Sequence, residues 1–458
     1  MTQSTSIQKA LLRNGRTSDS AEVEYNGHNL DSILTSLSID ILETEEGFKN
    51  LESEWDKLLT KTEGTIYSSF DWLFGWWKYF GEHTKRSIHI ITIRNNSQLI
   101  CVAPFYVGTS SLMGITLQRR LKLMGDGTSH NETLGFRDNY GRSDFLDIIC
   151  DPEFEDVTAQ LLFSVFNDQT YTNSYDYLEC IHINDRSFVK RKLIPMFRKN
   201  KTSFFLNESD ICPSIPFKNT FDDYLYEVSS NTRRRLRQSL KAIGKEEGFV
   251  VQDVDNEKEL IKNFGILRDM HQERWNSAGY PGAFFDERFE KFLLEFLKKA
   301  HKKDRIWFKI AKDKDGYCAT RIALKFGKKY FDYMSGFKYD APSAKYRPAI
   351  GLLTLMIKDG TEQGDKTVEL LRGDEEYKFD LTSTSFKNWK WTVPFRIQKS
   401  ILYKIKASFI NILSYSYFLL NKERNLLMVQ KKLHGNVKMM FKYMITRSRF
   451  IKQKFETD

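Results

Sequence analysis

Apolar and polar positions along the chain fall into two successive blocks with the same order of predicted elements. The first block begins with the strand-like SLSIDIL near Leu37 and continues with two apolar helical stripes, GFKNLESEWDKLL and SSFDWLFGWWKYF. It ends with two strand-like segments, IHIITIR and QLICVAPFYV. Apolar residues three or four positions apart predict helices, and short alternating or apolar runs predict strands. The first block therefore predicts strand–helix–helix–strand–strand, with Ser69 as the cap of the second helix.

The second block repeats this order, with Trp55 and Cys101 recurring as Trp275 and Cys318. Strand FVVQDV precedes a helical stripe that ends in His271 and Trp275, a second helix, and strands RIWFKIA, YCATRIALKF and KKYFDYMSGF. The loop APSAKYRP, another helix and a buried strand through residues 368–371 follow. Repetition of one plan predicts two copies of a supersecondary unit. The expected fold class is α+β, with a mixed, mainly antiparallel sheet flanked by helices in each copy.

The stretch between the two blocks, residues 221–248, predicts one helix with an apolar stripe and an arginine-rich face. That face contains Arg233, Arg234, Arg235, Arg237, Lys241 and Lys245. Such a face is typical of a solvated helix surface, although clustered guanidinium groups also suit phosphate recognition.

The chain of 458 residues is longer than one hydrophobic core usually serves. We expect four segments. They are a disordered N-terminus over residues 1–36, an N-terminal domain over 37–215, a C-terminal domain over 216–395 and a basic amphipathic helical tail over 396–458.

The positive charge of the chain is concentrated in that tail. Residues 396–458 contain 14 Lys/Arg and 3 acidic residues, whereas the net charge of the whole chain is +10. We expect the tail to contact phosphates, an anionic membrane surface or an acidic partner. Its apolar stretch over residues 407–420 is too short to span a bilayer and could instead cover an apolar patch of the body. Without that tail the chain is nearly neutral, so nucleic acid is not an expected partner.

The five cysteines are scattered and have no metal-ligand spacing. This usage predicts free thiols in a reducing compartment, without a disulfide framework or a metal site. The first residues have no continuous apolar segment of the kind a secretory signal needs, and no run of about 18 apolar residues predicts a spanning helix. We therefore expect a cytoplasmic protein, with its tail at the inner membrane surface.

The segment LLRGDEEYKFDL, which starts at Leu370, places carboxylates and a lysine directly after a strand. Asp374 or Glu376 could accept a proton from a nucleophile. Lys378 could stabilise a developing oxyanion or hold a phosphate. The alternative is that these charges only solvate a loop.

The loop before the helix near Ile350 is a second candidate site. Helix N-termini bind anions through unpaired N–H groups and the helix dipole. Here Lys345 and Arg347 add positive charge, and Ala349 and Gly351 are small enough for the close approach of a pyrophosphate. The alternative is an ordinary helix start with two exposed cations. His271, on an apolar stripe beside Arg274, is more typical of a hydrogen-bonded core residue than of a catalytic base.

Seven segments in order resemble the GNAT-type acyltransferases of the BioF-like and CelD-like group, which is associated with cellulose and exopolysaccharide synthesis and related to Fem peptidyltransferases. They are GFKNLESEWDKLL, SSFDWLFGWWKYFG, LICVAPFYV, SSNTRRRLRQSLKAI, DMHQERW, YRPAIGLLTLMI and LLRGDEEYKF. The resemblance covers residues 37–393 and implies two tandem GNAT-like domains. It also implies acyl transfer from acetyl-CoA or another acyl-CoA to the amine or hydroxyl of a sugar, a polysaccharide precursor or an amino compound.

The resemblance implies roles for particular residues. The donor's carbonyl and pantetheine would lie along KKYFDYMSG, and its pyrophosphate at the next helix start, so the implied donor-binding residues are Tyr333, Ser335, Lys345, Arg347, Ala349 and Gly351. The implied catalytic residues are Lys378, Asp374, Glu376 and Asp332, and the implied acceptor-binding residues are Tyr377, Arg274, His271 and Arg372. Family members often carry Ser-Pro-Gly where this chain has Arg347-Pro348-Ala349, which leaves open a degenerate donor site or a carrier-bound donor.

Two other functions stay open at this point. One is a Fem-like transfer of an aminoacyl group from tRNA, although no heptad run like the Fem coiled coil is visible. The other is a non-catalytic GNAT scaffold that docks into a polysaccharide-synthesis assembly through the basic tail.

Overall fold

The computed structural model describes residues 36–81, 86–112, 115–127, 141–246, 248–277, 282–339 and 341–395, together with a two-residue ladder of Glu24–Tyr25 and His28–Asn29. Its described residues form two compact units. The N-terminal unit contains residues 36–211 and 386–395, and the C-terminal unit contains residues 212–385. The predictions for the N-terminus before residue 36 and for the tail over 396–458 lie outside the described residues, apart from that ladder.

The N-terminal unit follows the order predicted for the first block. Its elements are β1 Leu37–Leu42, α1 Glu45–Lys49, α2 Glu52–Thr60, α3 Phe70–Trp76, β2 Arg86–Asn95, β3 Gln98–Leu112, β4 Ile115–Leu123, β5 Ile149–Cys150, α4 Glu155–Asn167, α5 Gln169–Ser174, β6 Tyr177–Asn184 and α6 Ile194–Lys199. The strands are ordered β1-β2-β3-β4-β6, and β5 pairs with β3. The β4–β6 pair is parallel and the pairs β1–β2, β2–β3 and β3–β4 are antiparallel, so the sheet is mixed.

The C-terminal unit repeats this topology. Its elements are β7 Phe205–Pro216, α7 Phe221–Glu227, α8 Ser230–Lys241, β8 Val250–Asp253, α9 Glu257–Ser277, α10 Glu287–Lys302, β9 Ile306–Asp313, β10 Gly316–Phe326, β11 Lys329–Phe337, α11 Pro348–Glu362, β12 Thr367–Glu369, α12 Glu376–Leu381 and β13 Ser385–Pro394. The strands are ordered β8-β9-β10-β11-β12-β7, and only the β11–β12 pair is parallel. The predicted α+β class with one mixed sheet in each copy is confirmed.

Two strands lie at the boundary between the units. Residues 212–216 of β7 belong to the C-terminal unit, where they pair with β12. Residues 386–394 of β13 belong to the N-terminal unit, where they pair with β6. The C-terminal segment over 386–395 therefore returns to the N-terminal sheet, a long-range pairing that local sequence patterns do not encode.

Each unit has its own hydrophobic core beside its sheet. In the N-terminal unit, Phe105, Leu121 and Trp391 are fully buried, and in the C-terminal unit Leu353 and Met356 are. The predicted helix cap is confirmed, because the Ser69 hydroxyl accepts a hydrogen bond from the backbone N–H of Trp72. Across the described ranges no helix is long and apolar enough to cross a membrane.

The prediction of a single helix over residues 221–248 is wrong. The chain leaves helical geometry at Val228, and Ser229 starts the new helix α8 by accepting a hydrogen bond from Thr232 N–H at 3.2 Å. A serine hydroxyl is a preferred N-cap because it satisfies one of the unpaired N–H groups of the first turn. The apolar stripe continues across the break, which is why periodicity alone did not locate it.

Two smaller predictions also need correction. The strand predicted through residues 368–371 ends at Glu369, and Leu371 has a left-handed φ of 59° that no strand can accommodate. Trp275, predicted to lie on the apolar stripe of its helix, is 36% exposed, whereas Leu260, Phe264 and Leu267 on the same stripe are buried.

Candidate active site of the C-terminal unit

The parallel strands β11 and β12 separate soon after they meet. Their register joins Lys329, Tyr330 and Phe331 to Thr367, Val368 and Glu369, and ends there. Strand β11 continues for six more residues, to Phe337. The segment that follows β12 instead turns at Leu371. We call the place where the two strands diverge, between the end of β11 and the segment that leads to α12, the crevice.

A β-bulge on β11 lies at the start of this crevice. Across β10 and β11, Ile322 pairs with Met334 but Ala323 pairs with Asp332, so Tyr333 is the extra residue. A bulge twists a strand and redirects the groups beside it. The bulge therefore turns β11 away from β12 at the position where their pairing ends.

Asp332 and Arg321 form a buried ion pair beside the bulge. The Asp332 carboxylate accepts a hydrogen bond from Arg321 Nη1 at 2.6 Å, and the two side chains are only 7% and 5% exposed. Arg321 Nη2 also donates to the carbonyl oxygen of Ala349 at 3.3 Å. The pair thus connects the crevice to the first turn of α11.

Lys378 is held below the turn at Gly373 rather than in solvent. Its Nζ donates to the Arg372 carbonyl oxygen at 2.9 Å and lies 2.9 Å from Glu375 Oε2. Gly373 has a φ of 132°, and a Cβ there would lie 2.1 Å from Glu375 Oε2 and 2.9 Å from Lys378 Nζ. The glycine is therefore needed both for the backbone turn and for the close approach of this ion pair. Two of the three hydrogens of the ammonium group are engaged, which leaves one for a ligand.

Tyr377 lies among the charged groups of the crevice. Burial raises the pKa of its phenol to about 12, and the carboxylate of Asp332, the guanidinium of Arg321, Glu375 and Arg274 all act on it. The whole residue is still 40% exposed, so its phenol is shielded while part of the side chain faces solvent. At neutral pH the phenol is protonated and can donate a hydrogen bond, but it cannot serve as a base.

Helix α11 begins without a side-chain cap. Its N-cap residue, Arg347, has left-handed geometry (φ 53°, ψ 56°), its first turn contains no acid, and Pro348 has no N–H. The N–H groups of Ile350 and Gly351 both donate to the Arg347 carbonyl oxygen at 3.0 Å. Within the described residues the Ala349 N–H makes no hydrogen bond. This helix start therefore combines a positive dipole end with an open donor.

A cationic cavity of about 530 Å³ lies beside this helix start. Five of its lining residues are positively charged: Arg234, Arg235, Lys241, Lys345 and Arg347. Of these, Arg235 pairs with Asp380 at 2.6 Å. The cavity is thus built from the predicted pyrophosphate loop and one edge of the arginine-rich helix.

The rest of the arginine-rich face has structural contacts. Arg233 donates to the carbonyl oxygens of Leu225, Tyr226 and Val228 at the end of α7. Arg237 pairs with Asp222 at 3.1 Å. The face is therefore divided between residues with structural contacts and residues that line the cavity.

Gly351 serves helix packing rather than ligand approach. A Cβ there would lie 2.8 Å from the Ser239 carbonyl oxygen and 2.9 Å from the Ile243 side chain. The missing side chain lets α11 pack closely against α8 and the turn that follows it.

The remaining predicted residues differ in burial. Tyr333 and Ser335 are half-buried on β11, Arg372 is half-buried at the turn, and Asp374 and Glu376 are exposed. His271 is buried and accepts a hydrogen bond from Trp275 Nε1 at 2.9 Å. Burial lowers the pKa of His271 to about 4, so its ring is neutral at physiological pH.

Sequence reasoning missed Arg321 and did not select Glu375 from the three acids. A signal for Arg321 existed, because an arginine in the middle of the apolar strand YCATRIALKF needs a partner when buried. No signal for Glu375 existed, because its role depends on the fold of the Gly373 turn. Within the ranges the structure describes, no cluster of three or more His, Cys, Asp or Glu side chains could hold a metal ion.

Comparison with known proteins assigns this region to a family. Residues 230–379, less than half of the chain, match the family model described as an acetyltransferase (GNAT) domain. This part of the C-terminal unit thus resembles a GNAT-type acetyltransferase domain. No match was found among curated proteins.

Several solved structures resemble about three quarters of the chain at low identity. FemX is 10% identical, with 73% of this chain and 95% of that chain covered and a TM-score of 0.49. L-PGS from Bacillus licheniformis is 11% identical (78% and 96% covered, TM-score 0.42), and a tandem GNAT protein from the clavulanic acid biosynthesis pathway is 9% identical (79% and 100%, TM-score 0.37). With TM-scores below 0.5, none of these likenesses supports a conclusion about this chain.

Proposed function

We propose that the C-terminal unit transfers an acyl group, with acetyl as the first candidate, from acyl-CoA to the amine or hydroxyl of a sugar, polysaccharide precursor or amino compound. The observation that carries this proposal is the crevice where β11 leaves β12, directly beside an uncapped helix start and a cationic cavity. The family match over residues 230–379 supports the same reaction class.

The phosphates of the donor fit the cationic cavity. A diphosphate needs several positive charges and open N–H donors. The cavity offers Lys345, Arg347 and Arg234, and the Ala349 N–H belongs to the helix start that Arg347 caps. The pantetheine arm would then follow β11 past Tyr333 and Ser335. In this arrangement the thioester reaches the bulge next to Asp332.

The reaction needs no covalent enzyme intermediate. The acceptor's lone pair attacks the thioester carbonyl carbon, a new C–N or C–O bond forms, and the C–S bond breaks. The acceptor's proton passes to a carboxylate, and the thiolate takes a proton from the Tyr377 phenol or from water. Lys378, with one free hydrogen, stabilises the oxyanion of the tetrahedral intermediate.

Asp332 is our first candidate for the proton acceptor, through a bridging water. It is the predicted carboxylate that lies beside the bulge and acts on Tyr377, whereas Asp374 and Glu376 are exposed on the rim. Its pairing with Arg321 fixes its orientation, which a positioned base requires.

We also propose the BioF-like and CelD-like assignment, an exopolysaccharide or cellulose context and a cytoplasmic location. The seven ordered segments support the assignment and its context. The five free, buried cysteines fit a reducing compartment. Contact with a membrane or a synthesis complex is assigned to the tail over 396–458.

Thiol release from acetyl-CoA by the full chain, in the presence of amine and hydroxyl acceptors, tests the function. We expect acceptor-dependent release and a product heavier by one acetyl group. If no acyl-CoA reacts and calorimetry detects no acyl-CoA binding, the enzyme proposal is wrong and a scaffold role is favoured.

A further inference from the structure

Arg274 lies at the open end of the crevice between aromatic rings. Its guanidinium carbon is 5.7 Å from the Trp275 ring centroid and 5.4 Å from that of Phe337. The Phe337 ring in turn contacts Tyr339 at a centroid distance of 4.3 Å. Aromatic faces hold a guanidinium in place without neutralising it.

No carboxylate pairs with Arg274 in the part of the chain that the structure describes. Five other arginines of the C-terminal unit do have carboxylate partners: Arg235, Arg237, Arg268, Arg288 and Arg321. Arg274 is half-buried, and its charge acts on the Tyr377 phenol inside the crevice. A half-buried charge without a counter-ion is costly unless a ligand supplies one.

The geometry points to an acceptor that carries a carboxylate, which Arg274 binds with its planar fork while the reacting amine or hydroxyl faces Tyr377 and Lys378. Guanidinium and carboxylate match in a bidentate arrangement, which fixes orientation as well as distance. This inference rests on the proposed function and narrows its acceptor class to acidic sugars and amino acids.

The charges around Arg274 favour a carboxylate over a phosphate. Lys378 is paired with Glu375, Arg321 is paired with Asp332, and the His271 ring is neutral. Of Lys378, Arg321 and Arg274, the last alone has no carboxylate partner among the described residues. One guanidinium balances a carboxylate, whereas a phosphate dianion would need at least two cations.

Matched probes test this inference by calorimetry, with and without acetyl-CoA. Alanine is compared with alaninamide, and glucuronate with glucuronamide. We expect the carboxylate of at least one pair to bind tenfold more tightly than its amide. Arg274→Gln should remove that preference, and Arg274→Lys should keep part of it because the charge remains without the fork. Arg268→Gln, on the same helix but paired with Glu290, should leave it unchanged.

The inference is overturned if neither pair discriminates, or if the preference persists in Arg274→Gln. It is also overturned if glucose 6-phosphate binds more tightly than glucuronate and does so through Arg274. Because the probes are also measured without donor, these outcomes are separate from a failure of acetyl-CoA to bind, which would contradict the proposed function instead.

Discussion

The two units share one topology, but they use the end of their parallel strand pair differently. In both, the pair is joined over only three residues: 120–122 with 177–179 in the N-terminal unit, and 329–331 with 367–369 in the C-terminal unit. The residues after the third pair decide whether a crevice remains.

In the N-terminal unit the gap beyond the pair is filled. Ser143 N–H donates to the Gly125 carbonyl oxygen at 2.8 Å, and Leu146 N–H donates to the His182 carbonyl oxygen at 3.0 Å. The Ser143 hydroxyl also accepts from Trp72 Nε1 at 2.8 Å. Residues 143–146 thus bridge the two strands just beyond their pairing.

In the C-terminal unit the corresponding gap is bounded by the bulge at Tyr333 and by the Gly373 turn. The register of β3 and β4 in the N-terminal unit has its irregularity at Ser110/Ser111 instead, away from the parallel pair. The C-terminal unit thus has a bulge next to the place where its parallel strands separate, and the N-terminal unit does not have its bulge there.

The helices that follow the two gaps, α4 and α11, differ in the charge at their N-terminal ends. Helix α4 follows a 3-10 turn that Asp151 caps by accepting from Glu153 N–H. Its own N-cap, Phe154, makes no side-chain cap, but its first turn contains Glu155 and Asp156. Helix α11 has neither a side-chain cap nor an acid in its first turn. Carboxylates at a helix start satisfy the N–H groups and repel an anionic ligand. Under the proposed function, one topology serves as scaffold in the N-terminal unit and as donor site in the C-terminal unit, and the charges at the helix start distinguish the two.

Removal of the Lys378 charge should have the largest effect on catalysis. Lys378→Met keeps the volume of the side chain, so we expect turnover to fall by about 100- to 1,000-fold, as for loss of one oxyanion donor. Lys358→Met, on the exposed side of α11, is the control and should retain turnover. Steady-state kinetics check this, and unchanged turnover for Lys378→Met would remove the lysine from the mechanism.

Each unit has a buried ion pair next to its parallel strands, Arg321–Asp332 and Lys122–Asp126. Asp332→Asn and Asp126→Asn each remove the carboxylate that pairs with a buried cation, so each should lower the free energy of unfolding by about 3 kcal/mol. Only Asp332→Asn should also change the pH profile of turnover. Denaturant unfolding and pH–rate profiles measure both effects. A normal profile for Asp332→Asn, with a changed one for Glu376→Gln, would reassign the base.

Both units should respond alike to acid, because each contains a buried neutral histidine. Burial lowers the pKa of His89 and of His271 to about 4. In the unfolded chain each histidine has a pKa of about 6.5, so it binds a proton below that pH, whereas in the folded state it does so only near pH 4. The contribution of each neutral ring to the free energy of unfolding is therefore full above pH 6.5 and is lost as the pH falls towards 4. Each histidine should lower the free energy of unfolding by about 2 kcal/mol when the pH falls from 7.5 to 5. In His271→Gln, the unfolding temperature of the C-terminal unit should fall less between pH 7.5 and pH 5 than in the unmodified protein. An equal fall in both would contradict a neutral His271 ring.

The Gly373 turn should show a small but specific effect. Gly373→Ala and Gly316→Ala both place a side chain at positive φ, so each should cost about 1 kcal/mol of stability. Only at Gly373 does the new Cβ meet Glu375 and Lys378, whereas nothing lies within 4 Å at Gly316. We therefore expect turnover to fall up to about tenfold in Gly373→Ala alone. Equal turnover in the two variants would show that the turn does not position the lysine.

The sequence was sufficient for the repeated plan because its apolar periodicity reports burial directly. It also located the helix start at Pro348 and the Gly373 segment, where local residue types indicate backbone geometry. It could not locate the break at Val228, because the apolar stripe continues across it. Nor could it reveal the pairing of Arg321 with Asp332 or of Lys378 with Glu375, since both depend on strand register and turn geometry.

The most direct test of the central claim is calorimetric titration of the full chain with acetyl-CoA. One binding site per chain is expected, lost in Arg347→Glu and retained in Glu153→Lys, the charge reversal at the corresponding helix start of the N-terminal unit. Two sites per chain, or binding that survives Arg347→Glu but not Glu153→Lys, would contradict an open donor site in the C-terminal unit and a filled one in the N-terminal unit.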